Sequence, residues 1–179
     1  MPTPQYNATN KLITELAPNQ TFVFGSNASG FHGAGSAGQA MRGDSRNTWR
    51  DDRAFLKAKS APKGHPDRIG KWAVYGVARG HQVGREGQSY AIETITRPGE
   101  KRSTPLAVIQ KQLGELLAFA ASRPDLEILM TPVGCGYSGY SAQEMKACWD
   151  NALKTFGNLP ENIVLPPNLY QSQPSVELT

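Results

Sequence analysis

Strand-like and helix-like segments alternate along this 179-residue chain, and the alternation predicts an α/β fold of three layers, with helices on both faces of a mixed, mostly parallel sheet. Three observations carry the prediction. Runs at 21–24, 89–95 and 126–131 are apolar, aromatic or β-branched in the manner of buried strands. Residues 106–120 repeat leucine and isoleucine at helical spacing. Two of the strand-like runs then pass into helices through loops almost without bulky side chains, at 25–38 and 132–140.

In chain order, Leu12, Ile13 and Leu16, closed by Pro18, predict a helical turn or two ahead of the first strand. Thr21-Phe22-Val23-Phe24 suits a buried central strand. Gly25, Gly30, Gly33, Gly35 and Gly38, interleaved with Ala and Ser, lead to Gln39-Ala40-Met41-Arg42, which reads as a helix moving away. From 43 to 70 the chain turns polar and basic, with Pro62, Gly64 and Pro66 close together, and predicts a variable excursion with one short helix near 47–59. The core resumes at 71–76. A second glycine-rich run, 80–88, leads into the strand at 89–95, and its direction puts it at the opposite end of the sheet from the other loops unless it folds back. Thr104 reads as an N-cap and Pro105 as the first helical residue of the clearest helix, whose inward stripe is Leu106, Ile109, Leu113, Leu116, Leu117 and Ala120. Arg123-Pro124-Asp125 ends it, and a strand at 126–131 follows with Glu127 as its one charge. Ser141 to Glu144 has capping-box spacing and opens a helix that turns Met145, Trp149 and Leu153 inward. A last strand at 162–165 precedes Pro166-Pro167. The chain thus reads as one domain over 1–170 with a basic insertion at about 43–70, and a tail at 171–179.

Apolar residues at 39% and charged residues at 19% mark a globular chain rather than a disordered one. Cys135 and Cys148 have no C-x-x-C neighbour and no supporting histidine pattern, so neither a zinc site nor a disulfide framework is expected. No segment resembles a signal peptide or a membrane span, which predicts a reducing, cytoplasmic setting and no membrane partner. Between Arg42 and Lys71 stand nine Lys/Arg against four Asp. Such a segment can meet nucleic acid through Arg46, Arg50, Arg53 and Lys57, but Trp49 and Phe55 are too few for a stacking platform, which favours a solvated loop.

A side-chain-poor turn from strand to helix exposes backbone N–H groups at a helix N-terminus, a setting for phosphate or pyrophosphate. Close packing of the chain explains the same glycines. The run at 25–38 matches neither the dinucleotide fingerprint nor the P-loop. In an open α/β sheet, however, ligands bind outside the carboxyl ends of the strands, so loops after neighbouring strands would close on one elongated ligand.

Phe24-Gly25-Ser26-Asn27 followed by His32-Gly33-Ala34-Gly35-Ser36-Ala37-Gly38 resembles the first ligand loop of macrodomains, the ADP-ribose-binding α/β/α modules. Pro132-Val133-Gly134-Cys135-Gly136-Tyr137 resembles their second loop. The similarity is greatest to the branch of the terminal ADP-ribose protein glycohydrolase, and Gly87-Gln88-Ser89-Tyr90-Ala91-Ile92 resembles a segment of macrodomain-like phage and bacterial proteins. It spans roughly 21–165, and it implies ADP-ribose or a related nucleotide as ligand, free or attached to protein or nucleic acid, with no cofactor. By position, Gly25 and Ser26 would open the site and Asn27 would lie near the distal ribose. Gly33, Ala34, Gly35 and Ser36 would line the phosphates, and Gly134, Cys135, Gly136 and Tyr137 would form the opposite wall, with Tyr137 stacking over the ribose.

The departures bear on hydrolysis of ADP-ribosyl linkages. Where hydrolytic macrodomains of the larger class carry an Asp before the helix glycine, this chain has Ala37. The Lys and Asp of the glycohydrolase branch correspond to Arg97 or Thr96 and to Ser138. An arginine stays protonated and cannot attack an anomeric carbon, and a serine without a base does not replace a carboxylate. Three side chains remain as catalytic candidates. His32 borders the phosphate loop and can serve as a base or as a hydrogen-bonded structural group. Glu93 shares a strand face with apolar residues, and either acts as a carboxylate of raised pKa or pairs with Arg97 or Arg79. Ser138 occupies the carboxylate position. Besides these, His81 and Glu86 flank a turn, Cys135 stands near a helix start as nucleophile or small buried residue, and Arg79, Arg85 and Arg97 are candidate diphosphate ligands. The same pocket would serve a phage or host-defence protein that sequesters a cyclic nucleotide.

Overall fold

Phe22, Val23 and Phe24 are completely or almost completely buried because their strand, β2 (Gln20–Asn27), lies inside a sheet covered on both faces. A computed structural model describes residues 5–6, 13–30, 32–33, 35–43, 53–97, 99–136, 138–167 and 169–170. Among them six strands form one sheet: β1 (Gln5–Tyr6), β2, β3 (Gly80–Val83), β4 (Gln88–Ile95), β5 (Glu127–Leu129) and β6 (Ile163–Leu165), in the order β1-β6-β5-β2-β4-β3. Every pairing is parallel except that of β3 with β4. The helices are α1 (Gly35–Arg42), α2 (Arg53–Ser60), α3 (Leu106–Ser122) and α4 (Ala142–Phe156).

Strand alternation divides the core in two. Val23, Tyr90, Ile92, Ile128 and Ile163 face α3 and α4, meeting Ile109, Leu113, Leu116, Leu117, Met145 and Trp149. Phe22, Phe24 and Ala91 face the other way, against Ala37, Ala40 and Met41 of α1, Phe55 and Ala58 of α2, and Trp72 and Tyr75. This is the three-layer α/β/α arrangement with a mixed, mostly parallel sheet that the alternation predicts.

Several local expectations change. Residues 13–17 form no helix, because they run as an irregular lead-in held by Gln39, whose side-chain amide donates 2.5 Å to the Ile13 carbonyl. The excursion helix is α2, starting at Arg53, and its expected first part lies outside the described residues, as does the tail at 171–179. The run at 80–88 is a β-hairpin: β3 pairs antiparallel with β4, and Gly84 N–H donates 2.8 Å to the Gly87 carbonyl across the turn. At α3 the N-cap is Pro105, with no side-chain cap, instead of Thr104. Thr104 is buried and its carbonyl accepts 2.5 Å from the Tyr140 hydroxyl, which ties it to another loop. Ser141 and Glu144 form the expected capping box of α4.

Candidate functional site

β2 and β5 are neighbours and run in parallel, with Gln20, Thr21 and Phe22 opposite Glu127, Ile128 and Leu129. Their following loops therefore leave the same edge of the sheet. The roots adjoin: Thr131 Oγ1 donates 2.6 Å to the Val23 carbonyl, and a Cβ on Gly25 would stand 3.9 Å from Val133 Cβ.

The first loop rests on the segment 74–79. Gly76 N–H donates 3.0 Å to the Gly30 carbonyl, and Ser26 Oγ donates to the Ala78 carbonyl. Gly30 sits at φ +70, and a Cβ there would come within 2.4 Å of the Gly76 carbonyl carbon, so only glycine lets the two backbones touch. Asn27 is buried and its Oδ1 accepts 2.8 Å from Ser29 Oγ. The Gly33 carbonyl accepts 2.9 Å from Arg42, and Ser36 Oγ accepts 3.4 Å from Gly25 N–H. Gly35 begins α1, whose first turn carries no acidic side chain and whose leading N–H groups have no partner within the helix. Ala34 lies outside the described residues.

The second loop folds on itself. Ser138 Oγ donates 2.5 Å and Tyr140 N–H donates 3.1 Å to the Gly134 carbonyl, while Gly139 N–H donates 3.1 Å to that of Gly136. Gly134 has φ +91, and a Cβ on it would strike Met145 Sδ at 2.6 Å. Gly136 is exposed and has open space on its Cβ side. Burial pushes the half-buried Cys135 thiol up, the opposite of an activated nucleophile. Tyr137 lies outside the described residues.

The three catalytic candidates are each engaged inside the protein. His32 has no exposed surface; its ring meets Phe24 edge-on and its Nε2 lies 3.0 Å from the Val77 carbonyl. A carbonyl only accepts, so Nε2 carries the proton. Desolvation lowers the His32 pKa to about 4, with the Val77 and Val74 carbonyls opposing it, and the ring stays neutral near pH 7. Glu93 stands beside Ser26 in the ladder and accepts from Arg79 Nε at 3.0 Å, the ion pair that was its alternative reading. Ser138 spends its hydroxyl within its own loop.

Other candidates separate by position. The hairpin sets Arg85 and Glu86 in the turn at the far end of the sheet, and His81 Nε2 meets Gln88 Oε1 at 2.6 Å while its ring packs tilted against Phe119 with centroids 4.9 Å apart. Arg79, just before Gly80, stays at the carboxyl end of β4, since Gly80 pairs with Ala91. Arg97 pairs with Glu100 at 2.6 Å. Sequence spacing gives no sign that the chain between Thr96 and Thr104 reaches the second loop, yet the Lys101 side chain lies against Gly139, where a Cβ would be 2.9 Å from Lys101 Cβ. Long-range loop contacts of this kind leave no periodic signal in sequence.

No protein-family model matches the sequence, and no curated protein matches it. Among solved structures, the macrodomain of Mycobacterium tuberculosis DarG superposes with a TM-score of 0.50 at 18% identity, covering 93% of this chain and 99% of that one. The fold is macrodomain-like. At that identity the likeness describes the path of the backbone, so the roles of the macrodomain-like loops rest on their own geometry.

Proposed function

We propose that the protein binds ADP-ribose or a closely related nucleotide in the cleft between the 27–35 and 131–140 loops. The observation that supports it is the adjacency of β2 and β5, which brings two side-chain-poor loops to one edge with their roots in contact. The backbone N–H groups at the start of α1 suit the diphosphate, and Gly136, exposed with open space on its Cβ side, leaves room for it on the opposite wall. Arg79 adds a cation at the same edge. The sequence resemblance to the ADP-ribose loops of macrodomains supports the choice of ligand, and the protein reads as a binding module, because the positions of the glycohydrolase Lys and Asp hold other residues.

Calorimetric titration with ADP-ribose tests this, with AMP, ribose 5-phosphate and cyclic dinucleotides alongside. Saturable heat with ADP-ribose supports the reading, tighter binding of a cyclic nucleotide would favour a sequestering role, and no heat at millimolar ligand would end it. Incubation with ADP-ribosylated protein or nucleic acid then separates a reader, which leaves the linkage intact, from a hydrolase.

A second reading is favoured by α2, whose outer face exposes Arg53, Lys57 and Lys59. Contact with a nucleic-acid backbone there would weaken steeply with salt, and Arg53→Ala with Lys57→Ala would remove it.

A further inference from the structure

The loop between β4 and α3 is fastened at four points, three to the second candidate loop and one to the first turn of α4, and three of the four belong to Arg102. Its backbone N–H donates 2.6 Å to the Ser138 carbonyl. Its guanidinium forks onto Glu144 at 2.8 and 2.6 Å, and lies over the Tyr140 ring at 4.7 Å from the centroid. The fourth point is the Tyr140 hydroxyl on the Thr104 carbonyl at 2.5 Å. Glu144 in turn accepts from the Ser141 backbone N–H, so the same carboxylate joins the arginine to the start of α4.

The backbone of Arg102 makes these contacts informative. It has φ +58, a region where a side chain costs conformational energy and glycine does not. A position serving only to turn the chain would favour glycine. The cost of an arginine here is offset by what its fork and its charge over the Tyr140 ring hold. Exposed ion pairs ordinarily contribute little, but a bidentate pair stacked on an aromatic ring and locked by a backbone hydrogen bond is the geometry in which they do contribute.

We infer that Arg102 is a positioning residue, clamping the 134–140 loop from outside through Ser138, Tyr140 and Glu144 and so holding the second wall of the cleft in its ligand-ready shape. Its consequence for ligand affinity rests on the nucleotide-binding reading above. The clamp itself does not.

Arg102→Gly is the decisive variant, since it deletes the guanidinium while relaxing the backbone, and so retains the fold. Hydrogen exchange of the full-length, unliganded protein is expected to show amides of the 134–140 segment exchanging about tenfold faster, with those of α3 and α4 unchanged. Glu144→Gln, which keeps a capping-box acceptor, is expected to shift the same amides in the same direction. Unchanged exchange of the loop in Arg102→Gly, or acceleration spread evenly over the whole protein, would overturn the clamp. Titration with ADP-ribose is the second arm: about tenfold weaker binding at an unchanged melting temperature is expected, and equal affinity would overturn the positioning role. If the wild-type protein takes up no ADP-ribose, the functional reading fails alone, and loop exchange still decides the clamp.

Discussion

His32 shows how one buried ring couples solution conditions to the first loop. Its pKa falls from 6.5 in an exposed setting to about 4 in the fold through desolvation. Between those two values the unfolded chain holds a proton that the folded chain does not, so stability falls as pH drops through this window and levels off below it. The difference approaches about 3 kcal/mol. His32→Gln keeps an N–H for the Val77 carbonyl but does not titrate. Urea unfolding at pH 7 and pH 4 should show the wild type losing about 3 kcal/mol more than the variant between these conditions; parallel losses would contradict the burial argument. Gly136 supports a separate test of the cleft. With open space on its Cβ side and no positive φ to satisfy, Gly136→Asp should fold normally. If the proposed cleft binds ADP-ribose, a carboxylate there would repel its diphosphate, and calorimetry should show affinity falling by about tenfold or more. Neither residue's surroundings could be read in advance, because the Val77 carbonyl and the open space are set by segments distant in sequence.

Elements differ in how much of them local sequence carries. α4 is readable end to end, since Ser141 accepts from Glu144 N–H at 3.0 Å and Glu144 from Ser141 N–H at 3.0 Å, both between residues three apart. Ser141→Ala should therefore cost about 1 kcal/mol in chemical denaturation without altering the midpoint slope. The inward stripe of α3 is readable for the same reason: helical spacing is a local property. Its start is not. Thr104 has the right chemistry for a cap, yet a tyrosine of another loop holds its carbonyl and Pro105 takes the position. β1 is two residues long, too short for any pattern, and exists because β6 offers an open edge to pair with. β3 was legible only as a glycine-rich run, because the antiparallel return onto β4 depends on register between the two arms of the hairpin.

At the scale of the whole molecule, the two half-cores on either side of one sheet form a packed base from which three loops project at the carboxyl edge. A ligand that joins the first two should stabilise the fold as a unit. At a hundred times its dissociation constant, ADP-ribose should contribute about 2.7 kcal/mol, raising the melting temperature by roughly 5–10 °C. A shift that appears in the first loop alone, with no change in the global transition, would mean that the second wall takes no part. Composition, the 3.6-residue stripe, the short apolar runs and the two side-chain-poor bends were enough to specify an α/β sheet with two strand-to-helix loops poor in side chains, because each of these is a property of neighbouring residues. Strand order was not, nor were the burial of His32, the Arg79–Glu93 pair and the fastening of the second loop by Arg102. Those depend on which segments meet after the chain has closed over distances of tens of residues, and such meetings are decided by packing and register across the sheet.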